Sequence, residues 1–174
     1  MNTPVEVNAH YWNGEPKIKP QSGVHTNTPI VVELFSGCGG TSMGFKMANY
    51  NIALGCDIHI PSIETFQHNH PTSATIMGDI KKISVTQIRE LVGGQSIDVL
   101  VAGVPCQGFS INNRKRHTED DRNFLYQEFI RFATELNPKC VIIENVSGML
   151  SSGDMVNTIE NELSQATGMV VKSQ

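Results

Sequence analysis

From Pro29 onward, short apolar runs alternate with segments of helical period, and this alternation narrows the possible folds more than anything else in the chain. Runs at 30–35, 51–56, 75–77, 97–102 and 140–144 are short and nearly unbroken, as strands buried on both faces should be. Residues 169–172 read as the opening of a sixth strand. The intervening segments carry helix punctuation. A helix should start near Thr41, and Pro61 suits the first turn of another running to about residue 69. Ser84 with Gln87 forms a capping box whose helix should stop at Gly93-Gly94. Apolar residues at 124, 125, 129, 132, 133 and 136 make a helical stripe that ends before Pro138. Asp154 is placed to cap a last helix carrying Met155, Val156, Ile159 and Leu163 on one side and closed by Gly168. Elements of this type, in this order, predict an α/β domain on a doubly wound, mostly parallel sheet. Ligands of such sheets bind beyond the carboxyl ends of the strands.

Composition narrows the class further. A chain of 174 residues, 39% of them hydrophobic, can bury one core and is neither disordered nor of low complexity. Residues 1–28 hold Pro4, Pro16 and Pro20 without sustained periodicity and read as a flexible leader, tied down locally by Tyr11 and Trp12. Residues 29–174 form the folded domain. The longest apolar stretch, at 97–105, is far too short to cross a bilayer. Cysteines at 38, 56, 106 and 140 form neither CxxC pairs nor a dense framework. With no basic start followed by an apolar run, they point to the reducing cytoplasm. A net charge of −4 supplies no electrostatic footprint for nucleic acid.

Chemistry-bearing residues collect at the ends of the expected strands. The first strand runs into Phe35-Ser36-Gly37-Cys38-Gly39-Gly40, a loop where glycines permit close approach of a ligand and the next helix offers free N–H groups. Its G-x-G-G spacing differs from the dinucleotide pattern G-x-G-x-x-G, which weakens a pyrophosphate reading. Asp57 ends the second strand, where an acid commonly takes ribose hydroxyls, and Gly78-Asp79-Ile80 brings another acid to the end of the third. Either acid alone could be a helix cap. Together, after a glycine-rich loop, they favour an adenosine ligand. The fourth strand ends in Gly103-Val104-Pro105-Cys106-Gln107-Gly108-Phe109-Ser110, which makes Cys106 a candidate nucleophile at the ligand-binding edge. The fifth ends in Glu144-Asn145-Val146, an acid beside that cysteine.

These motifs, in this order and spacing, closely resemble the DNA cytosine-5 methyltransferase family over roughly residues 30–173. They are Glu33-Leu34-Phe35-Ser36-Gly37-Cys38-Gly39-Gly40 with Gly44-Phe45, Gly78-Asp79-Ile80, Pro105-Cys106-Gln107, Asp121-Arg122-Asn123-Phe124-Leu125 and Glu144-Asn145-Val146. Asn69-His70-Pro71 fits as well. The resemblance implies a Rossmann-like S-adenosylmethionine-dependent methyltransferase fold, with that cofactor and no metal. It places the cofactor against Phe35, Ser36, Gly37, Cys38, Gly39 and Gly40, its ribose on Asp57 and its adenine near Ile58, Asp79 and Ile80, with Leu125 nearby. It implies attack by Cys106 on C6 of a cytosine, protonation at N3 by Glu144, and a pocket shaped by Asn145 and Pro105. The partner it implies is double-stranded DNA with a flipped cytosine, in a bacterial or phage restriction–modification setting. Residues 107–122, with Arg114, Lys115, Arg116 and His117, resemble the mobile loop that closes over DNA or, more simply, a solvated basic loop.

The family pattern continues with a Gln-x-Arg-x-Arg segment, a target-recognition domain and a final cofactor motif that do not appear before Gln174. The expectation is therefore an amino-terminal catalytic portion: a truncated fragment, or one subunit of a split enzyme completed by a second subunit carrying the recognition domain. An unpaired sheet edge should result. A tRNA cytosine-5 methyltransferase with the same core motifs, and a cofactor-binding or regulatory module without independent catalysis, are the competing readings. A nicotinamide oxidoreductase would explain the glycine-rich loop and Asp57 but leaves Cys106 and Glu144 without a role.

Overall fold

A computed structural model describes residues 11–21, 27–105, 125–144 and 153–172. Its elements are β1 (Lys17–Lys19), β2 (Ile30–Leu34), α1 (Gly40–Met47), β3 (Asn51–Asp57), α2 (Ile60–Asn69), β4 (Ala74–Met77), α3 (Val85–Leu91), β5 (Val99–Gly103), α4 (Leu125–Leu136), β6 (Cys140–Glu144) and α5 (Gly153–Thr167). The six strands form one sheet in the order β1-β4-β3-β2-β5-β6. Every pairing is parallel except that of β1, which runs antiparallel to β4 at one edge. From β2 the chain winds outward through β3 and β4, then returns to place β5 on the other side of β2. The strand order reverses between β2 and β5, where a crevice opens beyond the strand ends.

The continuous apolar runs are explained by burial on both faces. Val31, Ile52, Val99 and Val101 point to the layer that holds Ile63 and Phe66 of α2 and Phe45 of α1. Val32, Leu34, Leu100 and Ala102 point to the opposite layer with Ile88 of α3, Phe129 and Phe132 of α4 and Leu163 of α5. Burying each large side chain of this kind contributes roughly 1.5–3 kcal/mol. β2, central in the sheet, is buried at every position.

The local punctuation works as its chemistry requires. Ser84 Oγ accepts the Gln87 N–H at 3.1 Å while Gln87 Oε1 accepts the Ser84 N–H at 2.8 Å, a complete capping box. Gly93 and Gly94 then adopt φ of +67° and +69°, and the helix stops. Pro61 lies in the first turn of α2, and α4 ends at Leu136 ahead of Pro138. α5 begins at Gly153, one residue before the expected Asp154 cap, and is closed by Gly168 at φ +71°.

Two expectations are corrected. Residues 169–172 are not a strand: no strand among the described residues pairs with them, and Met169 instead bonds to Ser164 and Thr167 at the end of α5. Residues 17–19, expected within a flexible leader, pair with β4 in the register Lys17↔Met77, Ile18↔Ile76, Lys19↔Thr75. Among the described residues β6 pairs only with β5, and Ile142 on it is 39% exposed. Among the described residues no helix is long and apolar enough to cross a membrane.

Candidate functional site

The glycine-rich loop is held from below by a buried acid. Glu33, on β2 and 3% exposed, accepts the Ser42 backbone N–H at 3.1 Å and the Ser42 hydroxyl as well. These bonds tie the first turn of α1 to the sheet. Burial pushes the Glu33 carboxyl above the usual glutamate range, against the opposing pull of its bonds to Ser42. Phe35 follows at φ +54°, an unusual left-handed conformation for an aromatic residue that turns its side chain out of the strand end. The Ser36 N–H donates to the Cys56 carbonyl at 2.9 Å. The buried Ser36 hydroxyl has no hydrogen-bond partner among the described residues.

Gly39 shows why this loop takes glycine. Its φ is +85°, and a Cβ there would lie 2.7 Å from His70 Nε2 and 2.8 Å from the Phe66 ring. His70, 2% exposed, donates from Nε2 to the Gly39 carbonyl at 3.2 Å. Burial holds the imidazole below its usual pKa, so it is the neutral ring that makes this bond. Asn69 donates to the Cys38 carbonyl at 3.1 Å. The Asn69-His70-Pro71 motif thus acts on the loop from α2, across the top of β3.

Asp57 closes the loop from the other side. Its carboxylate accepts the Gly37 N–H at 2.8 Å through one oxygen and the His59 N–H at 2.8 Å through the other. Asp79 accepts the Lys81 N–H at 3.0 Å and caps the single 3-10 turn Ile80–Lys82. Both acids therefore have backbone partners and also border a ligand-sized space, so the cap and site readings coexist.

That space is a cavity of about 810 Å³ beyond the ends of β2, β3, β4 and β5. Its lining includes Phe35, Asp57, Ile58, Asp79, Ile80, Pro105 and Leu125, seven of the residues expected from sequence. Ser36, Gly37, Cys38, Gly39 and Gly40 form the loop behind it rather than its lining. Cys56 also lines it, but burial pushes that thiol up to about 12, which makes it unreactive. Glu144, exposed at the end of β6, is paired in register with Gly103, and its Oε2 would stand 3.5 Å from a Cβ placed on that glycine. The strand pairing thus puts Glu144 beside the segment that leads through Pro105 to residue 106. Cys106, Asn145 and the basic loop of residues 107–122 lie outside the described residues.

Sequence reasoning missed part of the lining. Tyr11, Trp12, Asn13 and Gly14 border the cavity together with Gly78, Lys82 and Gly103. Gly78 and Gly103 sat in quoted motifs. The Tyr-Trp pair inside a Pro- and Asn-rich stretch was the available signal for the rest. Among the described residues, no group of three His, Cys, Asp or Glu could hold a metal ion.

The family model described as C-5 cytosine-specific DNA methylase matches residues 30–169. Type II methyltransferase M.DdeI of Desulfomicrobium norvegicum is 37% identical over 121 residues, which cover 70% of this chain and 28% of that protein. Type II methyltransferase M.Eco47II of Escherichia coli is 36% identical over 152 residues, 86% of this chain and 34% of that protein. Among solved structures, a prophage-encoded E. coli protein assigned as a DNA modification methyltransferase superposes with a TM-score of 0.68 at 31% identity, over 79% of this chain and 38% of that one. The chain therefore spans about a third of the length of each of these three relatives.

Proposed function

The chain belongs to the C-5 cytosine-specific DNA methylase family, and from that premise we propose that it carries the cofactor-binding and nucleophile-bearing part of a DNA cytosine-5 methyltransferase. The observation that carries this reading is the convergence of Phe35, Asp57, Ile58, Asp79, Ile80 and Pro105 on one cavity at the point where the strand order reverses. The cavity suits S-adenosylmethionine in size, in its aromatic and aliphatic walls and in its acids. Asp57 would take the ribose hydroxyls, since each of its oxygens has a lone pair left after accepting one N–H. Ile58 and Ile80 would flank the adenine, and Asp79 would meet its amino edge. Phe35 and the 36–40 loop would border the remaining part of the cofactor, and Leu125 the rim. The bound cofactor supplies the methyl group.

The remaining chemistry belongs to the chain's own residues. The target cytosine must leave the stack, because C6 is inaccessible inside a duplex. Cys106 adds through its sulfur to C6 and makes C5 nucleophilic. Glu144 holds N3 and donates a proton there, so that the negative charge of the adduct is relieved. Pro105 and Asn145 shape the pocket around the base. Once C5 carries the methyl group, a general base takes the C5 proton, Cys106 leaves as thiolate while the C5–C6 double bond re-forms, and N3 returns its proton to Glu144. DNA recognition outside the base pocket would fall to a further part of the protein or a complementing subunit, in keeping with the acidic balance of this chain. The proposed place of action is the bacterial cytoplasm, in a restriction–modification setting.

Isothermal titration of the folded chain with S-adenosylhomocysteine tests the cofactor reading. Saturable binding that weakens in Asp57→Ala is expected. A folded chain that takes up no heat of binding at millimolar ligand would refute it.

A further inference from the structure

The cavity has a wall that the strand-end motifs do not supply. Tyr11, Trp12, Asn13 and Gly14 border it, although they precede β2 and come from a stretch without strand or helix periodicity. This arm is fixed at several points. The Trp12 N–H donates to the Ile58 carbonyl at 2.9 Å, and Tyr11 forms an isolated antiparallel bridge with His59, their rings 5.2 Å apart. Farther on, β1 pairs with β4. Pro16 lies over Gly78, where a Cβ would come within 3.0 Å of the proline ring. With the Glu15–Lys82 ion pair at 3.8 Å, these anchors lie on Ile58, His59, Gly78, Lys82 and β4, the same cavity end as Asp57 and Asp79.

The Trp12 side chain is itself pre-positioned. Its indole N–H donates to the Glu15 carbonyl at 2.6 Å, and the Lys17 ammonium lies 3.9 Å from the ring centroid. Such a cation over the ring holds a half-buried indole in place. An indole held still at the edge of a cavity gives contact area to a planar ligand at little entropic cost. Phe35, Tyr11 and Trp12 are the aromatic residues of the lining, and only the last two face it from the arm.

We propose that the arm of residues 11–19 is a wall of the ligand site, and that Trp12 is a ligand-contacting residue at the adenosine end of the cavity. The inference rests on the cofactor reading above and adds to it a residue outside every strand-end motif. The arm then acts as more than a structural strap: docking it on β4 and Ile58 completes the cavity.

Trp12 is the sole tryptophan of the chain, so its emission reports on this site alone. The experiment titrates the full chain with S-adenosylhomocysteine and follows tryptophan fluorescence and heat in parallel. The expected result is an emission change that saturates with the calorimetric Kd. Trp12→Ala should bind about tenfold more weakly, within the range of base–aromatic contacts, and Trp12→Phe should recover most of the loss. Wild-type emission needs no variant, so a Trp12→Ala protein with a detached arm does not leave the question open. Calorimetric binding without an emission change, or with unchanged affinity in Trp12→Ala, overturns the role of Trp12 and leaves the cofactor reading standing. Absence of calorimetric binding overturns both.

Discussion

Gly55→Ala tests whether α2 is locked onto the sheet in the way that positions the glycine-rich loop. A Cβ on Gly55 would lie 2.3, 2.6 and 2.7 Å from three carbons of the Phe66 ring. Carbon atoms in contact sit roughly 3.5–4.0 Å apart, so the ring must withdraw by more than about 1 Å. It has nowhere to go. Phe66 is fully buried, its ring centroid is 4.6 Å from that of His70, and its edge already bounds Gly39. Overpacking of this kind costs about 1–3 kcal/mol, and the blocked retreat argues for the upper part of that range. Phe66→Leu alone should cost less than the ~3–5 kcal/mol of full truncation to Ala, while removing the ring carbons that clash. The double variant should then be more stable than the sum of the two singles implies, by about 1 kcal/mol or more. Urea unfolding followed by circular dichroism, with unchanged m-values, measures all three. A Gly55→Ala loss below about 0.5 kcal/mol, or an additive double variant, would refute the packing argument.

Other perturbations read other links. Asp57→Asn keeps the shape of the side chain but weakens its charge-assisted bonds to Gly37 and His59, so S-adenosylhomocysteine affinity should fall by about 1–3 kcal/mol in calorimetry; equal affinity would remove Asp57 from the site. Ser84→Ala removes half of a complete capping box and should lower unfolding stability by ~1 kcal/mol, whereas a change lost in the noise would mean that α3 is held by packing alone. Asp98 accepts the Lys139 ammonium at 2.6 Å and the Ile30 N–H at 2.7 Å, chiefly the former holding its carboxyl below the usual aspartate range. In the window between its native and unfolded pKa the unfolded chain binds more protons, so Asp98 stabilises the fold above that window and ceases to do so as pH falls through it. Asp98→Asn should flatten this part of the acid-unfolding curve, by no more than about 1 kcal/mol because Lys139 is 73% exposed. Glu33 has the opposite sign: with its native carboxyl raised by burial, its contribution is full below the unfolded glutamate pKa and lost as pH rises through the native one. Stability of Glu33→Gln should therefore decline less than wild type from pH 4 upward, and an unchanged slope would show that Glu33 is not the group responsible.

What could be read in advance was whatever short-range chemistry decides. The Ser84–Gln87 box, Pro61, the Gly93-Gly94 stop and the stripe from Leu125 to Leu136 each act within one or two helical turns, and the helices formed where these signals stand. The five strands expected from apolar runs all formed, because a run of Val, Ile and Leu with no polar face needs two covered faces wherever it lies. Seven expected site residues reached the cavity for a related reason, since strand ends in a parallel sheet share one edge.

The errors fall where pairing is between distant segments. Residues 17–19 (Lys-Ile-Lys) have no strand signal of their own and became β1 because β4 offered an open edge. Residues 169–172 carry a strand-like Met-Val-Val-Lys and stayed irregular, since a strand exists only through hydrogen bonds to a neighbour. Glu33 likewise appears in the sequence as one acid among seventeen, and only the close approach of α1 to β2 makes it a buried acceptor with a raised pKa. The sequence by itself determined the order of elements between residues 30 and 167, the family and the residue types at the strand ends, because those depend on local spacing and on side-chain type. The tertiary structure alone decided that Trp12, which precedes every strand-end residue of the lining, faces the same cavity as Asp57 and Asp79, because that contact arises when β1 docks on β4 and Trp12 on Ile58.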